Sequence, residues 1–118
     1  MVNAPPADEA ARRYPRARCN WRARCVTEAK KQFASRTVNI SLGGVAVTSP
    51  IEFPKEVMLY FEVQAIFGGR TCQIKGVGKV VHTRIQSGTG QYVIGLEYLT
   101  DLPVEATRFI DLYVKVHE

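Results

Sequence analysis

Two short segments of this chain carry residue types that suit an anionic ligand with base edges. The first is Arg12-Arg13-Tyr14-Pro15-Arg16, and the second is Asn39-Ile40-Ser41-Leu42-Gly43-Gly44. An arginine guanidinium is always charged, and its planar fork matches two phosphate oxygens or the O6/N7 edge of guanine. Amide and hydroxyl groups both donate and accept hydrogen bonds. The two segments together predict a binding site for phosphate and base in one molecule.

The first segment predicts an extended arm. Pro15 fixes its own backbone and pushes Tyr14 away from helical geometry. Arg12 and Arg16 are then about 13 Å apart by strand rise, so they can contact a ligand at separate points, with Arg13 as an additional contact. The alternative for this segment taken alone is a solvated arginine-rich arm.

The second segment predicts the polar end of a strand. Asn39 and Ser41 alternate with apolar neighbours, so we expect both side chains on one face. Gly43 and Gly44 permit positive φ and a close approach of the ligand to the backbone. The alternative is a turn in which Asn39 and Ser41 cap their own backbone.

Length and composition indicate one globular domain with a basic surface. The 118 residues are 46% hydrophobic and carry a net charge of +5. The excess of Arg and Lys from Arg12 to Lys31 predicts an anionic partner, namely nucleic acid, a nucleotide or a lipid headgroup, or else a solvated face. Neither a signal peptide nor an apolar run of about 20 residues is present, and Cys19 and Cys25 are too far apart along a strand for a disulfide. We therefore expect a cytoplasmic protein with reduced thiols and no membrane insertion.

The alternation of apolar and polar residues predicts an antiparallel β-barrel with a C-terminal helix. Residues 1–11 are expected to form a flexible tail, and Gly76 and Gly78 suggest a bulge or a sharp barrel bend in the fifth strand. A helix is expected at 103–116, with Asp101 as a cap and Pro103 near its start. The predicted strands are 19–25, 33–40, 44–48, 56–67, 70–85 and 91–99.

The ordered pair of motifs resembles the PilZ domain family. The family signature is R-x-x-x-R followed by [D/N]-x-S-x-x-G, matched here by Arg12 and Arg16 and then by Asn39, Ser41 and Gly44. The segment 92–98 also looks like the family's late glycine-containing strand. The resemblance implies a mainly β fold over residues 12–118, namely a six-stranded antiparallel PilZ-type β-barrel with a C-terminal α-helix.

The resemblance also implies that the ligand is cyclic di-GMP, a bacterial second messenger. In the family the two arginines grip phosphates and guanine, the Asp/Asn and Ser contact guanine, and the Gly keeps the turn open. Asn39 stands where Asp is commoner, so one charge-assisted acceptor is missing. Ala11 stands where some relatives carry another Arg, which leaves open one ligand molecule or a stacked pair.

The expected function is a non-enzymatic receptor that orders its arginine arm over cyclic di-GMP. A protein partner, which the sequence does not identify, would read the new surface; motility and biofilm formation are associations of the family. We expect no catalytic residue, cofactor or metal site. Ser41 lacks the glycine pattern of a nucleophile elbow, and His82 and His117 are isolated histidines that are expected to be structural or exposed.

Two alternatives remain at the level of sequence. Arg22 and Arg24 share the outer face of the first predicted strand and Tyr14 can stack on a base, which is typical of a small barrel that binds RNA or single-stranded DNA. No other strand carries such a stripe, so we do not expect nucleic acid as the partner. Trp21, on the other face, is expected in the core. The second alternative is a PilZ-like protein-interaction module that needs no ligand.

Overall fold

The computed structural model describes residues 14–118 as a closed six-stranded antiparallel β-barrel with one extra short strand and a C-terminal helix. This confirms the predicted fold class. The predicted tail at 1–11, together with Arg12 and Arg13, lies outside the described residues. The elements are β1 Ala17–Arg18, β2 Arg22–Val26, β3 Gln32–Ile40, β4 Gly44–Ser49, β5 Met58–Phe67, β6 Arg70–Gln86, β7 Gln91–Tyr98 and α1 Val104–His117.

The barrel closes because β3 pairs with β4 at the end of the strand order. The ring runs β3-β2-β5-β6-β7-β4, and β1 lies beside β2 on the same edge of β3. Closure pairs the edges that an open sheet would expose. The outer wall of β3, β4, β7 and β6 is therefore a continuous surface on which side chains from four strands can meet.

Strand alternation places the core inside the barrel, as predicted. In β5, Leu59, Phe61 and Val63 are fully or almost fully buried, whereas Met58 is exposed. Helix α1 covers one end of the barrel with its buried face, where Tyr113 packs against Trp21 at a ring-centroid distance of 4.7 Å. Trp21 is thus a core residue, as expected.

The predicted first strand at 19–25 is divided in two. β1 ends at Arg18 and β2 begins at Arg22, because the three residues 19–21 between them stand opposite only two residues of β3, Thr37 and Val38. The amide of Cys19 donates to the Val38 carbonyl at 3.1 Å, and the amide of Thr37 donates to the Trp21 carbonyl at 2.9 Å. The chain therefore continues along β3 with its register shifted by one residue.

The bulge expected at Gly76 and Gly78 is found later in β6. The register with β7 jumps between Val80 and His82, so Val81 is the extra residue. The two glycines instead make room for the core, since a Cβ on Gly78 would lie 2.9 Å from the Leu96 Cβ. Their role is close packing rather than a change of register.

The predicted cap of the helix is also wrong. Pro103 is the N-cap residue, with no side-chain capping bond, and the amide of Thr107 donates to the Pro103 carbonyl at 3.0 Å. Asp101 is two residues too early to cap a helix that begins at Val104. The extended backbone of Pro103 (φ −55°, ψ 152°) fixes where the helix starts.

The cysteines are free, as predicted. Burial raises the pKa of Cys19 to about 11 and that of Cys25 to about 12, so both remain thiols at neutral pH. Within residues 14–118, the helix found is neither long nor apolar enough to span a bilayer.

Candidate functional site

The bulge at Val38 turns Asn39 to the outside of the barrel. Thr37 pairs with Val47 and Asn39 pairs with Ala46, so Val38 has no partner in β4. A single extra residue reverses the alternation of a strand. Consequently Ile40 is completely buried in the core, and Asn39 faces outward instead of following Thr37 into the interior.

The bulge at Val81 has the same effect on His82. Val80 pairs with Leu96 and is completely buried, whereas His82 pairs with Gly95 on the outer face. In a strand of regular alternation, with Val81 paired, His82 would follow Val80 into the core. The two bulges thus direct one polar side chain each onto the same wall of the barrel.

These residues belong to one line of strand partners, which we call the site row. Neighbouring partners in such a line are about 4.8 Å apart. The middle of the row carries an alanine and a glycine, both small and both buried, and polar or charged side chains stand at both ends. From β1 through β3, β4 and β7 to β6, the row is Arg18, Asn39, Ala46, Gly95 and His82.

A shallow cleft of about 20 Å³ lies along this row. It brings together four residues predicted from the sequence, which are Arg16, Asn39, Ser41 and Gly44, and it adds His82. Gly43 lies on the neighbouring surface with Tyr14. The cleft is too small to enclose a nucleotide, so a ligand of that size would lie over the row.

The side chain of Ser41 holds the turn that follows β3. Its Oγ accepts hydrogen bonds from the amides of Gly43 at 3.0 Å and Gly44 at 3.2 Å, and the Ser41 amide donates to the Gly44 carbonyl at 2.9 Å. Ser41 is 3% exposed. This is the self-capping arrangement that the sequence left open, and it makes Ser41 the residue that shapes the turn.

Gly44 is required by the neighbouring strand. The glycines with positive φ in the described chain are Gly68, Gly69, Gly88 and Gly90, so the expected positive φ at Gly43 and Gly44 is absent. Gly44 instead pairs with Glu97, and a Cβ there would run into the Leu96 carbonyl oxygen. The close approach at Gly44 is to the backbone of β7.

Tyr98 fastens this turn to the barrel. Its hydroxyl donates to the Ser41 carbonyl at 3.0 Å, and its amide donates to the Gly43 carbonyl at 3.2 Å. Burial raises the pKa of Tyr98, so the phenol remains a neutral donor at physiological pH. The turn at 41–44 is therefore held both by the Ser41 hydroxyl within it and by the hydrogen bonds that Tyr98 donates to its carbonyl groups.

The C-terminal helix holds the other side of the site. The Tyr113 hydroxyl donates to the Arg18 carbonyl at 2.6 Å, and burial raises the pKa of Tyr113 as well. Arg16 lies directly before β1, so the hydrogen bond from helix α1 fixes the position of the strand from which Arg16 extends. Helix α1 thus positions the base of the arginine segment without contacting the cleft.

Arginines lie on three of the strands that form the site row, namely Arg18 on β1, Arg36 on β3 and Arg84 on β6. Among the described residues, Arg18 and Arg84 form no ion pair, and Arg36 donates to the side chain and backbone carbonyl of Asn20 at 2.6 and 2.8 Å. A ligand with negative charge is favoured here.

Sequence reasoning missed Arg18 and His82. Arg18 has the same strand parity as Arg16 and pairs with Asn39, which was a usable signal. His82 carried none, because its orientation depends on the bulge at Val81.

Comparison with known proteins gives the family and the fold. The family model of the PilZ domain matches residues 10–115. No curated protein sequence matches the chain.

Solved structures with the same fold share little sequence. The inhibitor of motility MotI/DgrA of Bacillus subtilis superposes with a TM-score of 0.75 at 19% identity, over 87% of this chain and 49% of that one. The PilZ domain of YcgR from Escherichia coli, solved with c-di-GMP, gives 0.66 at 13% identity over 89% of each chain. MrkH, a c-di-GMP-dependent transcription regulatory factor, gives 0.59 at 14% identity over 88% of this chain and 49% of that one.

This chain therefore spans about half the length of the MotI and MrkH chains. PilZ domains are binding and receptor domains. A matching family model over nearly the whole chain and a barrel that superposes on the PilZ domain of YcgR agree: this chain belongs to the PilZ domain family.

Proposed function

We propose that this domain is a receptor for cyclic di-GMP and that the ligand lies over the cleft beside the site row. The observation that carries the proposal is the Val38 bulge, which places Asn39 on the outer wall beside Arg16 and the turn at Ser41. Arg12 and Arg13, outside the described residues, complete the proposed site. YcgR, solved with the same ligand, and MrkH, described as dependent on it, support this reading.

The chemistry follows from the side chains. Arg16 would place its planar fork against a phosphate or the O6/N7 edge of a guanine, and the Asn39 amide would donate to and accept from a base edge. Because Asn39 is neutral, its bond to guanine N–H groups lacks the charge assistance of a carboxylate. Ser41, Gly43 and Gly44 form the turn that keeps this edge of the cleft in shape.

The signal would be closure of the arginine arm. Arg18 is held to Tyr113, so β1 would stay in place when the arginine segment before it closes. Binding through Arg12 and Arg16 would order that segment over the ligand and form a new surface for a protein partner. We place this step in the cytoplasm, where the second messenger is made and read.

Calorimetric titration with cyclic di-GMP tests the receptor function. Wild-type protein should saturate, Arg16→Ala should bind at least tenfold more weakly because one charge-assisted contact is lost, and Arg24→Ala should bind like wild type. Arg24 is the matched control because it already pairs with Glu62 at 2.9 Å. Absence of saturable binding by the wild type at tens of micromolar would contradict the receptor function and favour a ligand-independent interaction module.

Hydrogen exchange tests the arm. Amides from 11 to 18 should exchange more slowly after addition of cyclic di-GMP, whereas those of the hairpin turn at Gly68 and Gly69 should not change. Unchanged exchange at 11–18 with saturable binding would contradict arm closure and leave the receptor function standing.

The nucleic-acid alternative is weakened by Arg24. Its guanidinium is engaged by Glu62 and donates to Gln32 Oε1 at 2.7 Å, so the outer face of β2 does not present two available cations.

A further inference from the structure

The ring of His82 lies across the strand beside it. A Cβ on Gly95 would run into Nε2 of His82, with the two neighbouring ring carbons almost as close. The imidazole therefore extends from β6 over the bare backbone of β7, in the direction of β4. Gly95 is the residue that gives it this space.

Between the His82 ring and the Asn39 side chain lies a short stretch of the site row, formed by Gly95 and Ala46, which we call the floor. From Gly95, beneath the ring, to Asn39 there are two steps between strands, or about 10 Å. Ala46 is the residue between them, and its side chain is a single methyl group. His82 lines the same cleft as Arg16 and Asn39, and it is half-buried.

We propose that His82 is a ligand contact at the end of the site row opposite Asn39 and that it hydrogen-bonds cyclic di-GMP through its imidazole edge. The inference rests on the proposed receptor function and assigns a residue that the two sequence motifs do not contain. Ala46 is only 4% exposed, so a planar base would lie at the mouth of the cleft above it, where it would meet the Asn39 amide with one edge and approach His82 with the other.

The position of Nε2 allows a hydrogen bond in the plane of the ring. The face of the imidazole at Nε2 lies over Gly95, since Nε2 and its two neighbouring carbons are all close to where a Cβ on Gly95 would be, and the in-plane bonding direction of Nε2 therefore runs across β7, away from β6. An imidazole nitrogen accepts from a base N–H or donates to a base or phosphate oxygen, depending on its tautomer. His82 would thus select ligands that offer a polar group at this distance from Asn39.

His117 provides the matched control. It is the second of the two histidines in the chain, and it lies on helix α1 with its ring stacked on Tyr113 at 4.2 Å. Its Nδ1 is 3.0 Å from the Tyr113 carbonyl oxygen, and it is not among the residues that line the cleft.

The test is calorimetry with cyclic di-GMP on His82→Ala, His82→Gln, His82→Phe and His117→Gln, with thermal unfolding of each. His82→Ala and His82→Phe should bind about tenfold more weakly, the loss expected for one hydrogen bond to a polar ligand. His82→Gln should recover most of the affinity, and His117→Gln should match the wild type. Full affinity in His82→Ala, or recovery by Phe and not by Gln, would overturn the proposal while leaving the receptor function intact.

A spectroscopic readout covers the case in which a variant fails to fold. In the wild-type protein, titration with cyclic di-GMP should shift the NMR signals of the His82 ring and leave those of His117 in place. A bound complex with unshifted His82 signals would overturn the assignment. If the wild type does not bind cyclic di-GMP at all, the receptor function and the contact are both wrong.

Discussion

The outer wall of the barrel holds a second row of strand partners that contrasts with the site row. It crosses β3, β2, β5 and β6, and we call it the ion-pair row: Ala34, Arg24, Glu62 and Lys75. Arg24 lies 2.9 Å from Glu62, and Lys75 lies 4.0 Å from the same carboxylate. The Tyr60 hydroxyl also donates to Glu62 at 2.9 Å.

The two rows differ in how their charges are matched. In the ion-pair row, cations flank one carboxylate and the register is regular. In the site row, bulges at Val38 and Val81 turn Asn39 and His82 outward, and small residues separate them. The number of arginines along the sequence does not distinguish these two surfaces, whereas the residues that pair across neighbouring strands do distinguish them.

Filling the floor of the site row should have the largest effect. Gly95→Val would displace the His82 ring and cover the floor, so we expect the affinity for cyclic di-GMP to fall by about 100-fold or more. Ala34→Val, an equivalent addition to the exposed end of the ion-pair row, should leave the affinity unchanged. Calorimetry measures the affinity of both variants, with circular dichroism as a check of folding. Equal losses of affinity in the two variants would mean that the two rows do not differ in ligand binding.

Removing the hydroxyl of Ser41 should weaken both fold and binding. Ser41→Ala leaves the amides of Gly43 and Gly44 without this acceptor, which costs about 1–3 kcal/mol of unfolding free energy. We expect about tenfold weaker binding because the turn loosens. Ser49 is the control, because its buried Oγ accepts from the Ile51 amide at 3.2 Å and donates to its carbonyl at 2.6 Å. Ser49→Ala should lose similar stability in denaturant titration and keep its affinity. An equal loss of affinity in both would mean that the effect is general destabilisation.

Detaching the turn from β7 should have a smaller effect. Tyr98→Phe removes the donor to the Ser41 carbonyl, at a cost of about 1 kcal/mol in unfolding free energy, and should lower ligand affinity by a few-fold. Tyr60→Phe removes the hydroxyl that donates to Glu62 of the ion-pair row and should not change the affinity. A wild-type affinity in Tyr98→Phe would show that the turn keeps its shape without this bond.

Glu62→Gln should have the smallest effect and only on stability. Bonds from Arg24 and then Tyr60 hold the pKa of Glu62 below its ordinary value of 4.5. Since the folded state has the lower pKa, the stabilisation is complete above pH 4.5 and disappears as the pH falls below it. The wild type should therefore exceed Glu62→Gln in melting temperature at pH 7, and the difference should shrink as the pH is lowered below 4.5. A difference that grows in acid would reverse this sign.

Much of the fold was predictable because it depends on repeating patterns. The alternation in β5 and the helical spacing of Ala106, Ile110 and Tyr113 both follow from the burial of apolar side chains on one face. The placement of Arg16 near Asn39 and Ser41 followed from the motif pair. In each case several residues carry the same signal.

The rest depends on single residues that leave no such pattern. Val38 and Val81 are β-branched and suit an ordinary strand, so nothing in their type marks them as extra residues. The sequence therefore showed His82 as an isolated histidine and Gly44 as a flexible glycine. The constraint on Gly44 is the Leu96 carbonyl oxygen in β7, a strand far away along the chain. Asp101 failed as a cap because the geometry of Pro103 took precedence.

The Val38 bulge has a consequence for how this domain can change over evolutionary time. Deleting the Val38 codon would bring Asn39 directly after Thr37, opposite Ala46 and Val47, which is a regular pairing that keeps Asn39 outside and Ile40 inside. Substituting Val38 would also leave the Asn39 amide outside. The chain should therefore tolerate both point mutations and the loss of one residue at Val38, whereas a deletion between Asn39 and Ser41 has no extra residue to absorb it and would turn a motif residue to the wrong face.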